Sequence, residues 1–350
     1  MTNMRNQAAQ ARPLLEVKDL HVAFPVGRRE TLKAVDGISF DVCQGETFGV
    51  IGESGSGKTT LGRALVSLLE PTSGSILYDG IDVRSLSTKQ LRRQRRDYQI
   101  IFQDPNAALN PRMTILSSVM EPLEISGSTN RKSNEAEALR VLSRVGLPPD
   151  IANRFPHQLS GGQKQRVNIA RALVVRPRMI VCDEVVAALD VSIRGDVLNL
   201  FAELQREFGL TYVFITHDLS VVSHISDRIG VAYLGRFMEM GPAEAVTERP
   251  LHPYTEALLS AEPVPLPSFM RSDRRITLQG EIPSPISPPS GCRFRTRCRY
   301  AQTRCAEEVP QWRELNAGHW VACHFARPDG PPTVEGALND QTEVESTTAS

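Results

Sequence analysis

A chain of 350 residues is long enough to bury a substantial core and to carry one large domain with an appendage. Forty basic residues balance forty acidic ones, so no global field draws the chain to nucleic acid or to an anionic membrane. No run approaches the ~20 apolar residues of a spanning helix. The opening MTNMRNQAAQARP lacks the apolar centre of a signal peptide, so a cytosolic chain is expected, serving any membrane process through a partner.

LLEVKDLHVAF at 14–24 reads as an opening strand, followed by a loop containing GRRE and a strand pair around ISFDVCQGETFGVIG at 38–52. From Ser56 to Glu70 the residues Leu61, Ala64, Leu65, Leu68 and Leu69 recur at helical spacing, and Pro71 and Gly74 should end that helix. TKQLRRQRR at 88–96 is strongly basic; in a neutral chain it reads as a solvated helix face rather than a nucleic-acid contact. Residues 115–175 read as mainly helical, with Ala138, Leu139, Leu142 and Val145 on one face of a helix that stops at Gly146. After 175 strands and helices alternate: MIVCDE, VLNLFAELQREF, TYVFITHD, VVSHISDRI, GVAYLG and RFMEMG. That alternation predicts a doubly wound, mostly parallel sheet, with the helical stretch as an insert. Proline becomes dense beyond Pro250, and the acidic, weakly apolar end at 327–350 reads as disordered.

GESGSGKTT at 52–60 places Gly52, Gly57, Lys58 and Thr59 in the G-x-x-x-x-G-K-[ST] pattern, after an apolar strand and before a helix. The glycines let backbone N–H groups turn in on a β-phosphate, and the helix N-terminus adds its positive dipole end. Lys58 is suited to the β- and γ-phosphates and the Thr59 hydroxyl to Mg²⁺. MIVCDE carries Asp183 to the C-terminal edge of a core strand, where it can serve the metal, and Glu184 one residue on can polarise a water in line with the γ-phosphate. His217 closes TYVFITHD on the same kind of edge and is expected at the γ-phosphate. Gln103 in IIFQDP follows another short strand and can ligate Mg²⁺ or orient water.

LSGGQKQR at 159–166 is a second anion-binding helix start: Ser160 is a natural N-cap for a helix beginning near Gln163, and Gly161 and Gly162 clear room for close backbone approach. It lies in the helical insert, so its most economical target is a nucleotide held by another subunit. Two chains head to tail would then sandwich two ATP molecules.

Taken together, GESGSGKT, Gln103, LSGGQKQR, MIVCDE, AALD at 187–190 and His217 resemble the ATP-binding cassette (ABC) ATPases in order and spacing, over roughly residues 14–265. The resemblance implies an α/β fold: a P-loop NTPase (RecA-like) core, an N-terminal antiparallel β subdomain and an inserted helical subdomain at about 90–175. It implies that Glu53, Ser54, Gly55, Ser56 and Thr60 share the nucleotide loop, that Ser160, Gly161, Gly162 and Gln163 complete the partner's site, and that Asp190 serves communication across the dimer. Phe24 matches the family's adenine-stacking aromatic. The chain departs from the pattern after the catalytic glutamate, where Val185-Val186 replaces the usual Pro-Thr.

RPLHPYTEALLSAEP at 249–263 and LQGEIPSPISPPSGCRFRTRC at 278–298 look like the C-terminal extension of oligopeptide/dipeptide importer ATPases, an extension that nickel and glutathione importers share. The domain reading is therefore a leading segment 1–13, a cassette 14–265, an extension 266–326 and the tail 327–350. Implied partners are a second identical or homologous ATPase, two integral membrane permeases and an extracytoplasmic solute-binding protein, with no nucleic acid. The implied location is the cytoplasmic face of the bacterial inner membrane, as a peripheral subunit. A soluble ABC ATPase acting on nucleic acid or ribosomes is the rival; two cassettes or long coiled-coil insertions are its usual marks, and neither is present. Cys43 and Cys182 read as small buried hydrophobes. Cys292, Cys298, Cys305 and Cys323, spaced C-x5-C-x6-C-x17-C, read as a metal set or as free thiols. Related importer ATPases are similar here and can hold an iron–sulfur cluster, so the resemblance leaves two readings, a [4Fe–4S] group beside ATP and Mg²⁺ or packed, free cysteines in a small proline-rich fold.

Overall fold

The computed structural model describes residues 12–27, 30–187, 189–261 and 276–332. The expectations for residues 1–11, for Ala188, for the start of the extension at 266–275 and for the tail from 333 lie outside the described residues. In chain order the elements are β1 (Leu15–Val26), β2 (Glu30–Val42), β3 (Thr47–Ile51), α1 (Lys58–Leu65), β4 (Ser73–Tyr78), β5 (Ile81–Asp82), α2 (Thr88–Gln94) and β6 (Tyr98–Ile101). Then come α3 (Ile115–Ile125), α4 (Arg131–Arg144), α5 (Gly161–Leu173), β7 (Met179–Asp183), α6 (Val191–Phe208), β8 (Thr211–Thr216) and α7 (Leu219–Ile225). The chain continues through β9 (Arg228–Tyr233), β10 (Arg236–Pro242), α8 (Ala243–Glu248), α9 (Pro253–Ala261), α10 (Thr303–Glu307), β11 (Arg313–Asn316) and β12 (His319–Val321).

The chain divides into two compact units. The first comprises residues 1–20, 39–48 and 59–216. Its centre is a parallel run in which β7 pairs with both β6 and β8, in a register that sets Ile180 opposite Tyr212 and Asp183 opposite Ile215. Every residue of β7 and β8 is buried, which is why both read as nearly unbroken apolar runs rather than alternating ones. Helices α3, α4 and α5 pack on one another as the helical insert. The Arg171 guanidinium on α5 stitches it to α3, donating to the Ser118 carbonyl at 3.1 Å and to Glu121 at 2.9 Å. Basic α2 has no buried residue, as its charge pattern predicts.

Three local readings need correction. Helix α1 stops at Leu65 rather than running to Glu70, because Ser67 takes a left-handed φ of 56° that no continuing helix allows; Leu68 is consequently exposed. On α4 the buried face is Ala138, Val141, Leu142 and the following Val145, whereas Leu139 is 38% exposed. Cys182 is buried as expected, but Cys43 is only half-buried.

The second unit comprises 21–38, 49–58 and 217–350. β9 and β10 form an antiparallel hairpin, β10 also pairs with β12, and β12 with β11, so the extension adds two strands to the hairpin's edge. A register shift between Phe237 and Glu239 marks a bulge in β10. Glu239, fully buried on that strand, is satisfied by the N–H groups of Leu251 and His252 at 2.8 and 2.9 Å and by His319 Nε2 at 2.7 Å. Removing these partners would leave a buried carboxylate alone, at a cost of about 3–5 kcal/mol in comparable cases. Tyr233, Tyr254 and Phe294 form an aromatic trio with centroids 4.8 to 5.4 Å apart, joining β9, α9 and the extension.

Candidate nucleotide site

The loop from Gly52 to Lys58 belongs to the second unit. Gly52 has φ 154° and Gly57 φ 96°; a Cβ on either would stand 2.1 Å from the Ala232 carbonyl oxygen or 2.0 Å from that of Ala34. Those two positions therefore exclude side chains for steric as well as torsional reasons. Gly55 also takes a positive φ, 79°, but faces open space. Lys58 is buried, and its ammonium donates to the carbonyls of Gly52 at 2.6 Å and Glu53 at 2.9 Å and to Ser56 Oγ at 3.3 Å. This curls a cation into the middle of the loop, where its N–H donors could turn from these oxygens to those of a bound anion. Ser54 and Thr60 lie in the same stretch, and the Ser56 carbonyl accepts the N–H of Gly235 at 2.9 Å. Phe24, on β1, is half-buried. His217 begins the C-terminal part of this unit and is exposed.

In the first unit, two polar pairs stand at the ends of the core strands. Thr59 Oγ1 donates to Asp183 Oδ1 at 3.1 Å, so the hydroxyl and the tip of β7 already stand together as an oxygen pair of the kind hard divalent cations take. Asp183 is 2% exposed. Gln103 Nε2 donates to Glu184 Oε2 at 2.7 Å, bringing the polar tips after β6 and β7 into direct contact. Glu184 has a left-handed φ of 50°, strained for a residue with a side chain. Its N–H donates to the Ile215 carbonyl at 2.8 Å, and its carbonyl accepts from Ala187, so the strained turn is held from both sides. Val185 and Val186, where the family pattern has Pro-Thr, are both 2% exposed. Asp190 stands at the N-cap position of α6 with an exposed side chain that makes no cap hydrogen bond. Arg194 braces the intervening loop through the carbonyls of Leu189 and Ala187 at 2.9 and 3.3 Å.

Ser160 caps α5 as the sequence predicts: its hydroxyl accepts from Gln163 N–H at 3.3 Å while the Gln163 side chain returns to the Ser160 N–H at 3.0 Å. Ser160 and Gly161 are exposed, and a Cβ on Gly161 would meet nothing. The first turn of α5 thus presents free space, backbone N–H groups and a hydroxyl.

The sequence signature of the ABC transporter family matches residues 35–187, and that of the oligopeptide/dipeptide transporter C-terminal region matches 238–305. The oligopeptide transport ATP-binding protein AppF of Bacillus subtilis (strain 168) is 48% identical over 325 residues, covering 91% of this chain and 99% of that protein. The chain belongs to the ABC transporter ATP-binding family. OppF of Haemophilus influenzae, likewise an oligopeptide transport ATP-binding protein, is 49% identical over 319 residues, or 89% of this chain and 96% of its own. Among solved structures, the dimeric ATP-binding cassette MJ0796 in a post-hydrolysis state with ADP and Pi is similar at TM-score 0.60 and 32% identity, over 65% of this chain and 98% of that one. CbiO1 of Clostridium perfringens, part of the ABC transporter complex cbiONQ, matches at TM-score 0.60 and 29% identity, over 67% and 90%. The protein is thus an ABC ATPase with a P-loop NTPase fold, and no helix among its described residues is long and apolar enough to cross a membrane.

The late cysteines of this ABC ATPase converge. Cys292, Cys298, Cys305 and Cys323 line one cavity of about 10 Å³, roughly the room of a single water. Burial pushes the Cys292 thiol up to about 11 and Cys298 up to about 12, and raises Cys323 as well. Among the described residues no three His, Cys, Asp or Glu side chains are grouped to hold one metal ion. Residues that sequence reasoning missed are Tyr254, whose phenol oxygen accepts the Glu53 N–H at 2.9 Å, and Arg297, which grips the Glu53 carboxylate. Both fall in segments whose only sequence signal was the family extension.

Proposed function

We propose that the chain is the ATP-hydrolysing subunit of an importer for di- and oligopeptides, acting as a peripheral subunit on the cytoplasmic face of the membrane. The observation that carries this reading is the pairing, in one chain, of the Thr59–Asp183 and Gln103–Glu184 contacts with an extension of the oligopeptide/dipeptide type. Its partners are a second ATPase subunit, two membrane permeases and an extracytoplasmic solute-binding protein.

In this reading the loop N–H groups and Lys58 bind the β- and γ-phosphates of ATP, and Phe24 stacks on the adenine. Thr59, Asp183 and Gln103 are the residues that would hold Mg²⁺, which would neutralise charge on the β- and γ-phosphates. Glu184 accepts a proton from the attacking water as its oxygen bonds to the γ-phosphorus, while the bond to the β–γ bridging oxygen breaks and ADP carries away the electron pair. Gln103 orients Glu184 through their hydrogen bond, and His217 contacts the γ-phosphate. Ser160 and the first turn of α5, with Gly161, Gly162 and Gln163, complete the site of the partner subunit, and Asp190 lies where the two sites communicate. ATP drives the permeases only if it favours the closed dimer over the open one, since differential affinity alone shifts such an equilibrium. Vesicles reconstituted with chain, permeases and binding protein are expected to accumulate a labelled oligopeptide only with internal ATP. Accumulation that persists without this chain, or ATPase activity indifferent to peptide-loaded binding protein, would overturn the reading.

We also propose Cys292, Cys298, Cys305 and Cys323 as the donors of a [4Fe–4S] cluster, a second cofactor that the cavity as folded does not accommodate. Its donors fit by type, four thiols lining one cavity, but as folded the cavity has room for about one water and, among the described residues, no three such side chains are grouped for one metal ion. A cluster held there would require all four thiols to ionise and the cavity to open. Protein prepared anaerobically is expected to carry about four iron and four acid-labile sulfide per chain. If iron and sulfide are absent, the cysteines are packed thiols.

A further inference from the structure

Glu53 is the first variable residue of the nucleotide loop, immediately after Gly52, and it places a carboxylate in an anion-binding loop. An uncompensated negative charge there repels a triphosphate at short range. The carboxylate is met by Arg297 of the extension, whose Nη1 and Nη2 donate to Oε2 and Oε1 at 2.5 and 3.0 Å, a bidentate fork. The Arg297 side chain is only 7% exposed, and Glu53 25%, so the pair is poorly screened.

The guanidinium is aimed by its surroundings. It lies 6.0 Å over the Tyr233 ring, within the aromatic trio that joins β9, α9 and the extension. Its backbone is held in a tight turn: Arg297 N–H donates to the Phe294 carbonyl at 3.0 Å, Arg295 N–H to that of Cys292 at 3.1 Å, and Cys292 N–H to that of Cys305 at 2.8 Å. Glu53 is fixed on its other side too, since its N–H donates to Tyr254 Oη and its carbonyl accepts Lys58. A neighbouring contact repeats the pattern: buried Asp36 takes Arg293 of the same turn together with Arg236.

We infer that Arg297 is a positioning residue for the phosphate loop: by neutralising and orienting Glu53, the C-terminal extension sets the affinity of the site for nucleotide. The inference rests on the reading of Gly52–Thr60 as the nucleotide site. It assigns the extension a role in the ATPase itself.

The test is the dissociation constant of Mg–AMP-PNP for the full chain, measured calorimetrically, beside steady-state KM and kcat. R297M is expected to raise both the dissociation constant and KM about tenfold, with kcat at saturation within about twofold, the scale of one charge-assisted pair. R297Q, which keeps an amide donor, is the second variant should R297M fail to fold, and is expected to do the same. E53Q/R297M removes the stranded carboxylate and should recover affinity to within about threefold of the parent. R299M, at an arginine that pairs with Glu256, is the control and should leave the constants unchanged. An R297M or R297Q affinity equal to the parent's, or a double variant as weak as R297M, would overturn the inference. K58A separates the two levels: if it binds nucleotide like the parent, the nucleotide reading itself fails, whereas loss in K58A with normal binding in R297M sinks only the role of Arg297.

Discussion

Glu184→Gln is expected to lower ATP turnover roughly a hundred- to ten-thousand-fold while leaving Mg–ATP binding intact. The amide is nearly isosteric, so the strained turn at Glu184, its N–H bond to Ile215 and the burial of Val185 and Val186 all survive. What is lost is the acceptor for the water's proton. Gln103 faces this position at 2.7 Å as a donor, and an amide oxygen can still accept that bond, so orientation persists without basicity. ATP that binds but is not cleaved should accumulate the closed dimer, visible as an ATP-dependent doubling of mass in sedimentation. A variant that turns over at the parental rate would show that another group activates the water.

Ser160→Arg is expected to cut hydrolysis about a hundred- to a thousand-fold, the scale of removing one preorganised donor from a phosphate site. The effect on the fold should be small. Ser160 is exposed, and its capping bond to Gln163 is long at 3.3 Å, so losing the cap costs about 1 kcal/mol. The consequence for function is different in kind. ATP binding by the isolated subunit should be nearly parental, because in the proposed sandwich the substituted side chain acts on the partner's nucleotide. Equal losses in lone-subunit binding and in turnover would place Ser160 in its own chain's site instead.

Much of the site was legible because its chemistry sits where short-range rules operate. An apolar strand ahead of Asp-Glu, a glycine loop ahead of Lys-Thr and a serine three residues before a glutamine each declare a local geometry; the strand, the loop and the Ser160 cap form, with α5 starting at Gly161 rather than near Gln163. The Thr59–Asp183 contact spans 124 residues yet follows once both are placed at strand and helix ends on one edge of a sheet. The extension was opaque. Proline and cysteine density hid β11 and β12, which exist because Gly318 turns the chain and β10 offers an open edge. The Glu53–Arg297 pair joins residues 244 apart with no periodicity to signal it. Leu139 was misplaced on α4 because a stripe four residues wide admits either neighbour, and only packing against α3 and α5 selects Val141.

The central claim is that each ATP is held by one chain's phosphate loop and cleaved only when a second chain closes over it. Specific ATPase activity of the unmodified protein, followed through dilution alongside its sedimentation, tests that most directly. The account predicts activity per chain that falls steeply as dimers dissociate, tending to zero where only monomers remain. Activity per chain that holds constant in a solution of monomers would contradict it.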